Sequence, residues 1–483
     1  MTSVRDTDRL LAAHPDFGDA AAIARRNVAR LRVGLLMLAR RFPGLTGAAE
    51  LAAADEKTLT YFLRDPVLRN AFETDLAEAG AGVAGPAPEL ARFLPDASAA
   101  PCRDLAGSPV EAWPGLGPAF VWTGLDGTPG DPIAGRLAAL LAAMFPAPTA
   151  RVPIEPDADQ VAGLARGAEL LTTLMPEVGA AVLRHIGVVG LGRDDSPEGP
   201  LYSVSGGDGM PATIFLSPDR VADPWDAAGA ILHEGLHLVL FEISRCGALV
   251  VDGAADLTVD IPWRVVPWST MRVLFAVHVY VHMVAFTAAA REAGPEVLAR
   301  FGPPPANLAM SLSTPGQVEY ATPLARAGFL AEQLERTVAD RLTPYGRQFV
   351  TWLVDTLESR EPGLRASWDR PAGERAPERP GRAPAPHVVA PEIPGGPLTQ
   401  APADAVELPD QARLVLATAE PAGVHWLNLS SWLTYALCDG RDAAAVEADY
   451  VRLVAGTVDP DTARGQARAG LAQLAGSGLI SGS

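Results

Sequence analysis

Two histidines on one predicted helix are the strongest chemical signal in this sequence. His233 and His237 flank Glu234 in the pattern His-Glu-x-x-His, within the apolar run 230–240. Histidines four residues apart lie one helical turn apart on the same face, so both imidazoles can bind one divalent metal ion. Glu234 lies near that face and is a candidate catalytic residue. The alternative is two core histidines that match the pattern by chance. The acidic segment 223–226, typical of a helix start, favours the metal site.

A third protein ligand must come from elsewhere in the chain. His278 and His282 repeat the same spacing in a second apolar stretch, and we expect His278 to be the ligand and His282 the alternative. Glu242 and Glu319 are carboxylate alternatives, and a core histidine pair is the structural interpretation. Spacing alone does not distinguish zinc from Fe(II), since both accept imidazole and carboxylate ligands.

Arg264 is the remaining residue with a candidate chemical role. It belongs to a Pro-Trp-Arg turn between the two histidine-bearing stretches. A guanidinium held there could bind a carboxylate through two parallel hydrogen bonds. A salt bridge to a nearby aspartate is the structural alternative.

Positioning these residues requires long helices and a small sheet. Helical periodicity predicts helices over 157–174 and 269–291, and a helix that carries the motif and stops at Cys246-Gly247. Apolar, β-branched runs predict strands at 186–191, 201–205 and 213–217, with a hairpin turn at 206–209 between the last two. The expected fold class is α+β: a mostly α-helical main body with a small sheet beside a zincin-like HExxH helix. The strand beside that helix could bind an extended peptide or be purely structural.

Proline content divides the chain into four regions. We predict an N-terminal mainly helical region at 1–150 and a metal-site catalytic domain at 151–365. Ten prolines between 371 and 409 predict a flexible linker at 366–410. A small C-terminal module follows at 411–483.

Composition excludes some function classes. The chain has 483 residues, a net charge of −18 and 48% hydrophobic residues. Such an acidic chain is not expected to bind nucleic acid, which needs a basic surface. No uninterrupted apolar run has transmembrane length, the N-terminus has no apolar signal core, and the three cysteines have no disulfide or metal spacing. These features predict a cytoplasmic protein that does not bind a membrane.

The order of these motifs resembles a known family. A Ser-rich hairpin, His-Glu-x-x-His, Pro-Trp-Arg and then an apolar helix with histidine are similar to the HExxH-type peptide-modification proteins. Members are regarded as Fe(II)- and 2-oxoglutarate-dependent peptide β-hydroxylases. The resemblance covers residues 1–360 and implies that His233 and His237 hold the metal and that Arg264 binds the 2-oxoglutarate carboxylate. Relatives have a His-Gly pair in the next helix where this chain reads Phe275-Ala276.

The C-terminal module resembles a second family. A predicted hairpin at 414–428, a short helix at 429–437 and two later helices are similar to the PqqD-like peptide-recognition domain, a small winged-helix fold. Such domains bind the leader of a precursor peptide as an added strand. An unrelated winged-helix module would more commonly bind DNA, which the acidic character of this segment disfavours.

These features together predict a peptide hydroxylase tethered to its own recognition module, which would hold a precursor peptide in high local concentration. The alternative is a zinc metallopeptidase or other hydrolase in which Glu234 is the general base. A non-enzymatic peptide-binding scaffold with a degenerate metal site is the third interpretation.

Overall fold

The structure is a computed structural model that describes residues 2–82, 88–94, 120–121, 132–144, 151–194, 203–309, 318–368 and 392–482. The chain divides into two compact units. The first comprises Met1–Asn27, Glu56–Ala71 and Asp96–Arg370, and the second comprises Val28–Asp55, Phe72–Pro95 and Pro371–Ser483. The described chain is mostly helical with small sheets, which confirms the expected α+β class.

The α-helices are, in chain order, α1 (Val4–Ala13), α2 (Ala20–Arg41), α3 (Ala48–Ala52), α4 (Glu56–Arg64), α5 (Pro66–Gly80), α6 (Pro132–Met144), α7 (Ala158–Leu174), α8 (Pro176–Leu183), α9 (Pro218–Val221), α10 (Pro224–Cys246), α11 (Thr270–Arg291), α12 (Pro295–Phe301), α13 (Pro323–Glu332), α14 (Pro344–Arg360), α15 (Leu364–Trp368), α16 (Leu429–Leu437), α17 (Ala443–Leu453) and α18 (Pro460–Gly476). Short 3₁₀ turns occur at Glu89–Arg92, Val318–Tyr320, Ala339–Arg341 and Pro409–Gln411, and a π-helical turn at Gln333–Thr337.

The strands are β1 (Phe120–Val121), β2 (Arg151–Ile154), β3 (Val188–Asp194), β4 (Ser203–Ser205), β5 (Thr213–Leu216), β6 (Thr258–Val259), β7 (Trp268–Ser269), β8 (Leu398–Gln400), β9 (Ala403–Leu408), β10 (Arg413–Ala419), β11 (Ala422–Asn428), β12 (Asp439–Arg441) and β13 (Ile480–Gly482).

The main sheet of the first unit has the strand order β1-β3-β5-β4. Strands β1, β3 and β5 are parallel, whereas β4 runs antiparallel to β5 and lies at the edge. Strand β2 pairs antiparallel with β3. The hairpin predicted around residues 206–209 is therefore confirmed. Strand β5 is buried along its whole length, as expected for an apolar run in a core strand.

Helix α10 carries the His-Glu-x-x-His motif through the core of the first unit. Asp223 caps it by accepting hydrogen bonds from the Trp225 and Asp226 amides, and it ends at Cys246, as predicted. Close packing with α7 depends on Gly167, where an added Cβ would lie 2.5 Å from the Ala227 Cβ. The helix is thus fixed by its cap and by tight contact with its neighbour.

Among the residues that the structure describes, two helices are long and apolar enough to cross a membrane by length and composition alone. They are α10 and α11, and 78% of each apolar window is buried inside the protein. A mostly buried core helix meets the same criteria of length and composition. The predicted localisation and the expected absence of a membrane partner stay predictions.

The second unit contains two three-stranded sheets, with the orders β11-β10-β9 and β12-β8-β13. The predicted hairpin is confirmed, since β10 and β11 pair antiparallel from Arg413↔Asn428 to Ala419↔Ala422. Helix α16 has the predicted bounds, and α17 and α18 are the two later helices that the sequence predicts.

The interval predicted as a linker, 366–410, contains folded elements. Strands β8 and β9 lie within it, and the Leu398 side chain is fully buried. Prolines 397, 402 and 409 flank these strands and do not interrupt them, which is where proline is tolerated in a sheet. The C-terminal fold therefore begins before residue 411. Residues 369–391 of the predicted linker, and several segments of the 1–150 region, lie outside the described residues.

Candidate functional site

The accessible stripe of α10 carries the histidine pair. Between residues 227 and 243 every side chain of this helix is buried except His233, His237 and Phe241. These three residues are four apart, so they follow one another along one face. The His233 and His237 ring centroids are 5.1 Å apart. The motif thus places two imidazoles side by side on the only accessible line of this core helical segment.

Glu234 is held in place by strand β4. The Ser203 hydroxyl donates a hydrogen bond of 2.6 Å to Glu234 Oε1, and the Ser205 backbone N–H also bonds this carboxylate. His233 Nε2 is 3.9 Å from the same Oε1 atom. Burial raises the pKa of Glu234, and the nearby His233 and these hydrogen bonds counteract part of that rise. The edge strand therefore orients the one carboxylate beside the histidine pair.

His237 is suited to bind a metal ion in its neutral form. Burial, the neighbouring His233 and the Arg272 guanidinium together hold the pKa of His237 well below its ordinary value. Metal ions bind the neutral imidazole, so no proton need be displaced from this ring near neutral pH. His233 and His237 fit two ligand positions of a metal site.

Helix α11 contributes its own partly exposed stripe, which includes Arg272, Phe275, Ala276 and Tyr280. The Phe275 ring lies 5.6 Å from His237 and 4.7 Å from Phe241, measured between centroids. An apolar ring thus occupies the place where this stripe meets the histidine pair.

His278 and His282 lie on the buried side of α11. His278 packs against Phe349 and Trp352, with ring centroids 5.5 and 6.1 Å away. His282 Nδ1 contacts the His278 backbone carbonyl at 2.8 Å, and burial lowers the pKa of His282 to about 4. This environment resembles an aromatic core more than an open cleft.

His278 is nevertheless close enough to His237 for the two rings to interact electrostatically. The charge of His237 contributes to lowering the pKa of His278, after burial and His282, and the Leu236 carbonyl opposes that shift. Neither His278 ring nitrogen makes a hydrogen bond that meets normal geometry. Within the described ranges no group of three or more His, Cys, Asp or Glu residues is arranged to hold a metal ion. The structure thus brings His233 and His237 together and does not gather His278 or His282 into one ligand group with them.

The carboxylate alternatives lie elsewhere. Glu242 is buried and accepts hydrogen bonds from Arg69 at 2.8 Å and Arg245 at 3.2 Å, and these cations keep its pKa low despite burial. Glu319 is exposed in the short turn Val318–Tyr320. Glu242 is thus already engaged by two arginines.

Arg264 lies at the tip of the β6–β7 ribbon and is exposed. Its guanidinium is 5.5 Å from the Trp268 ring centroid, and that of Arg272 is 4.9 Å from the same ring. Burial of part of the side chain lowers the pKa of Arg264; Tyr280 opposes this, and Arg272 and Arg326 add to it. Two cations therefore share one indole, and one of them, Arg272, also acts on His237.

Sequence reasoning missed Arg272 and the role of Ser203. A signal for Arg272 existed: it is a cation in the first turn of a helix, where the helix dipole disfavours positive charge. Ser203 gives no local signal, because its partner Glu234 is 31 residues away.

A comparison of the chain with models of known protein families and with curated protein sequences finds no match.

Proposed function

We propose that this chain is a metal-dependent enzyme that modifies a ribosomally made precursor peptide, by Fe(II)- and 2-oxoglutarate-dependent β-hydroxylation of a side chain. The observation that carries the proposal is the accessible stripe of α10. A long buried helix exposes only His233, His237 and Phe241 along its central part. Polar rings in such a setting need partners, and two imidazoles one turn apart suit a metal ion.

In this proposal His233 and His237 hold the metal, with His278 as the third protein ligand and His282 as the alternative. The electrostatic interaction of His278 with His237 supports its role, because it places the two rings near each other. Bound Fe(II) and 2-oxoglutarate would supply the oxidising power for hydroxylation, whereas Zn²⁺, the alternative metal, would supply a Lewis acid.

Arg264 and Arg272 would bind the 2-oxoglutarate carboxylate. Both guanidinium groups are exposed and lie on the Trp268 ring, which limits their freedom before a ligand arrives. Guanidinium binds a carboxylate through two parallel hydrogen bonds. The electrostatic effect of Arg272 on His237 supports a carboxylate position near the metal ligands.

The substrate peptide would lie along β4, in a zincin-like arrangement. One side of β4 pairs with β5, and β4 is the last strand of its sheet as far as the chain is described. An edge strand can pair with an extended peptide through its backbone groups. The hydrogen bonds from β4 to Glu234 would keep such a peptide in fixed register with the motif helix.

The second unit would recognise the leader of the precursor peptide, as a PqqD-like winged-helix module does. Its outer strands β9 and β11 flank β10, and α18 packs against α16 and α17. These elements offer the sheet edges that strand addition requires.

A zinc hydrolase is the second candidate, and Glu234 favours it. A buried carboxylate with a raised pKa, fixed by two hydrogen bonds beside a metal ligand, is suited to accept a proton from water. In the hydroxylase, the same carboxylate would only orient a ligand or water.

The test is metal content and 2-oxoglutarate turnover of protein purified without oxygen. We expect one equivalent of iron and succinate formation when oxygen and 2-oxoglutarate are added. The double variant His233→Ala/His237→Ala should lose both, while His425→Ala, in the second unit, should lose neither. Tightly bound zinc without succinate would overturn the hydroxylase and make peptide cleavage by Glu234 the next assay. Absence of any bound metal would support the scaffold interpretation.

A further inference from the structure

A cavity lies within the first unit, on the side of α10 away from the histidine pair. Its volume is about 380 Å³, in the range of small-molecule sites. It reaches Glu242, which is nine residues beyond His233 and so faces about 180° away around the helix. The cavity is therefore separate from the accessible histidine stripe.

The cavity is positively charged. Its lining contains four arginines and two glutamates, and the arginines are Arg25, Arg64, Arg69 and Arg184. Glu242 is already neutralised by Arg69 and Arg245. Arg64 donates a hydrogen bond to the Arg184 backbone carbonyl at 2.5 Å. Neither Arg64 nor Arg184 has an ion-pair partner in the part of the chain that the structure describes.

Two buried polar atoms at this cavity also lack partners. Asn27 donates through Nδ2 to the Ile23 and Glu242 carbonyls at 3.0 and 3.3 Å. These acceptors fix the amide orientation and leave Asn27 Oδ1 buried without a donor. His185 Nε2 is likewise buried without a partner. Burial and three nearby arginines keep His185 neutral, with its pKa lowered to about 4.

We propose that this cavity binds a small organic anion that also carries an O–H or N–H group. Arg64 and Arg184 would bind its carboxylate or phosphate through charge-assisted hydrogen bonds. The O–H or N–H group would donate to Asn27 Oδ1, and His185 Nε2 would contact the same ligand. The site needs no metal, so it stands whether or not the proposed hydroxylation is correct.

The test is calorimetric titration of the full chain, freed of metal by a chelator, with L-malate, succinate and inorganic phosphate. We expect saturable binding of L-malate, and binding of succinate, which lacks the hydroxyl group, about tenfold weaker. Arg64→Gln and Arg184→Gln should each weaken L-malate binding about tenfold. Arg9→Gln removes an exposed arginine outside the cavity and should have no effect.

Thermal unfolding of each variant shows whether it is folded, and Arg184, which is exposed, can be replaced with least risk to the fold. Absence of saturable binding of all three probes up to about 10 mM would overturn the proposal. Equal affinity of the Arg184→Gln and Arg9→Gln variants would overturn it as well.

Discussion

The histidine pair of α10 can be compared with the pair of α11. Both pairs have four-residue spacing on long apolar helices, and sequence spacing treats them alike. His233 has 37% of its side chain exposed, whereas His278 and His282 are 1% and 3% exposed. The first pair has Glu234 and Arg272 nearby; the second has Phe349 and Trp352. The four-residue spacing determines that the two rings of a pair share one helical face. Packing determines which residues that face contacts.

This difference allows two properties to be tested separately, metal binding and stability, which a single variant often changes together. A residue on an accessible stripe can be replaced with little loss of packing, while a buried ring leaves a cavity. The first pair should therefore control metal binding, and the second pair should control stability. The predictions below test that division.

The largest effect is expected from removing the first pair. His233→Ala/His237→Ala should lower metal affinity by roughly 6 kcal/mol, since each ligand of a protein metal site contributes about 3 kcal/mol. The unfolding free energy of the metal-free protein should change by less than about 1 kcal/mol, because these rings are partly exposed. Metal titration and urea unfolding measure the two quantities. A large loss of stability with unchanged metal affinity would reverse the comparison.

Removing a ring of the second pair should mainly destabilise the protein. His282→Ala leaves a cavity beside Trp352 and should lower the unfolding free energy of the first unit by about 2–4 kcal/mol. Urea unfolding of the metal-free chain is the measurement, with His425→Ala as the control in the second unit. A variant as stable as the unmodified chain would show that His282 is not packed in this way.

The third-ligand hypothesis can be tested with a conservative pair of variants. His278→Gln should weaken metal binding about tenfold more than His282→Gln, because of these two residues only His278 shows an electrostatic interaction with His237. Each variant should lose similar stability, so metal titration distinguishes them. Equal metal affinities would remove His278 from the ligand set.

The smallest effect concerns pH. His185 lines a small cavity together with His278 and His282, and its pKa is lowered to about 4. An unfolded histidine has a pKa of about 6.5, so acid protonates the unfolded chain first. The stability due to neutral His185 is present above pH 6.5 and is lost as the pH falls towards 4, by roughly 1 kcal/mol between pH 6.5 and 5.5.

In His185→Gln this loss should be smaller by about 1 kcal/mol between pH 6.5 and 5.5, because His237, His278 and His282, whose pKa values are also lowered, still contribute to it. In His233→Gln it should be unchanged. Urea unfolding of metal-free protein across this pH range is the measurement. An unchanged slope in His185→Gln would mean that another group causes the acid sensitivity.

Local sequence determined a large part of the fold. The Asp223 cap, the apolar run and the Cys246-Gly247 stop define α10, because these signals act within a few residues. The hairpins β4–β5 and β10–β11 were also predictable, since short apolar runs are local features. A glycine-rich turn at 206–209 added a local signal for the first of them. The predicted start of the C-terminal module at 411 was wrong, because composition does not show whether prolines flank strands or interrupt them.

What the sequence by itself determined is that His233 and His237 share one helical face with Glu234 beside them, because α-helix geometry follows from spacing alone. Only the tertiary structure decided that this face is the accessible one, that Ser203 holds Glu234, and that Arg272 lies near His237. It also decided that His278 and His282 face an aromatic core. The physical reason is that burial and long-range contacts depend on which elements pack together. Helical periodicity predicts the face on which a side chain lies, but it does not predict which residues that side chain contacts.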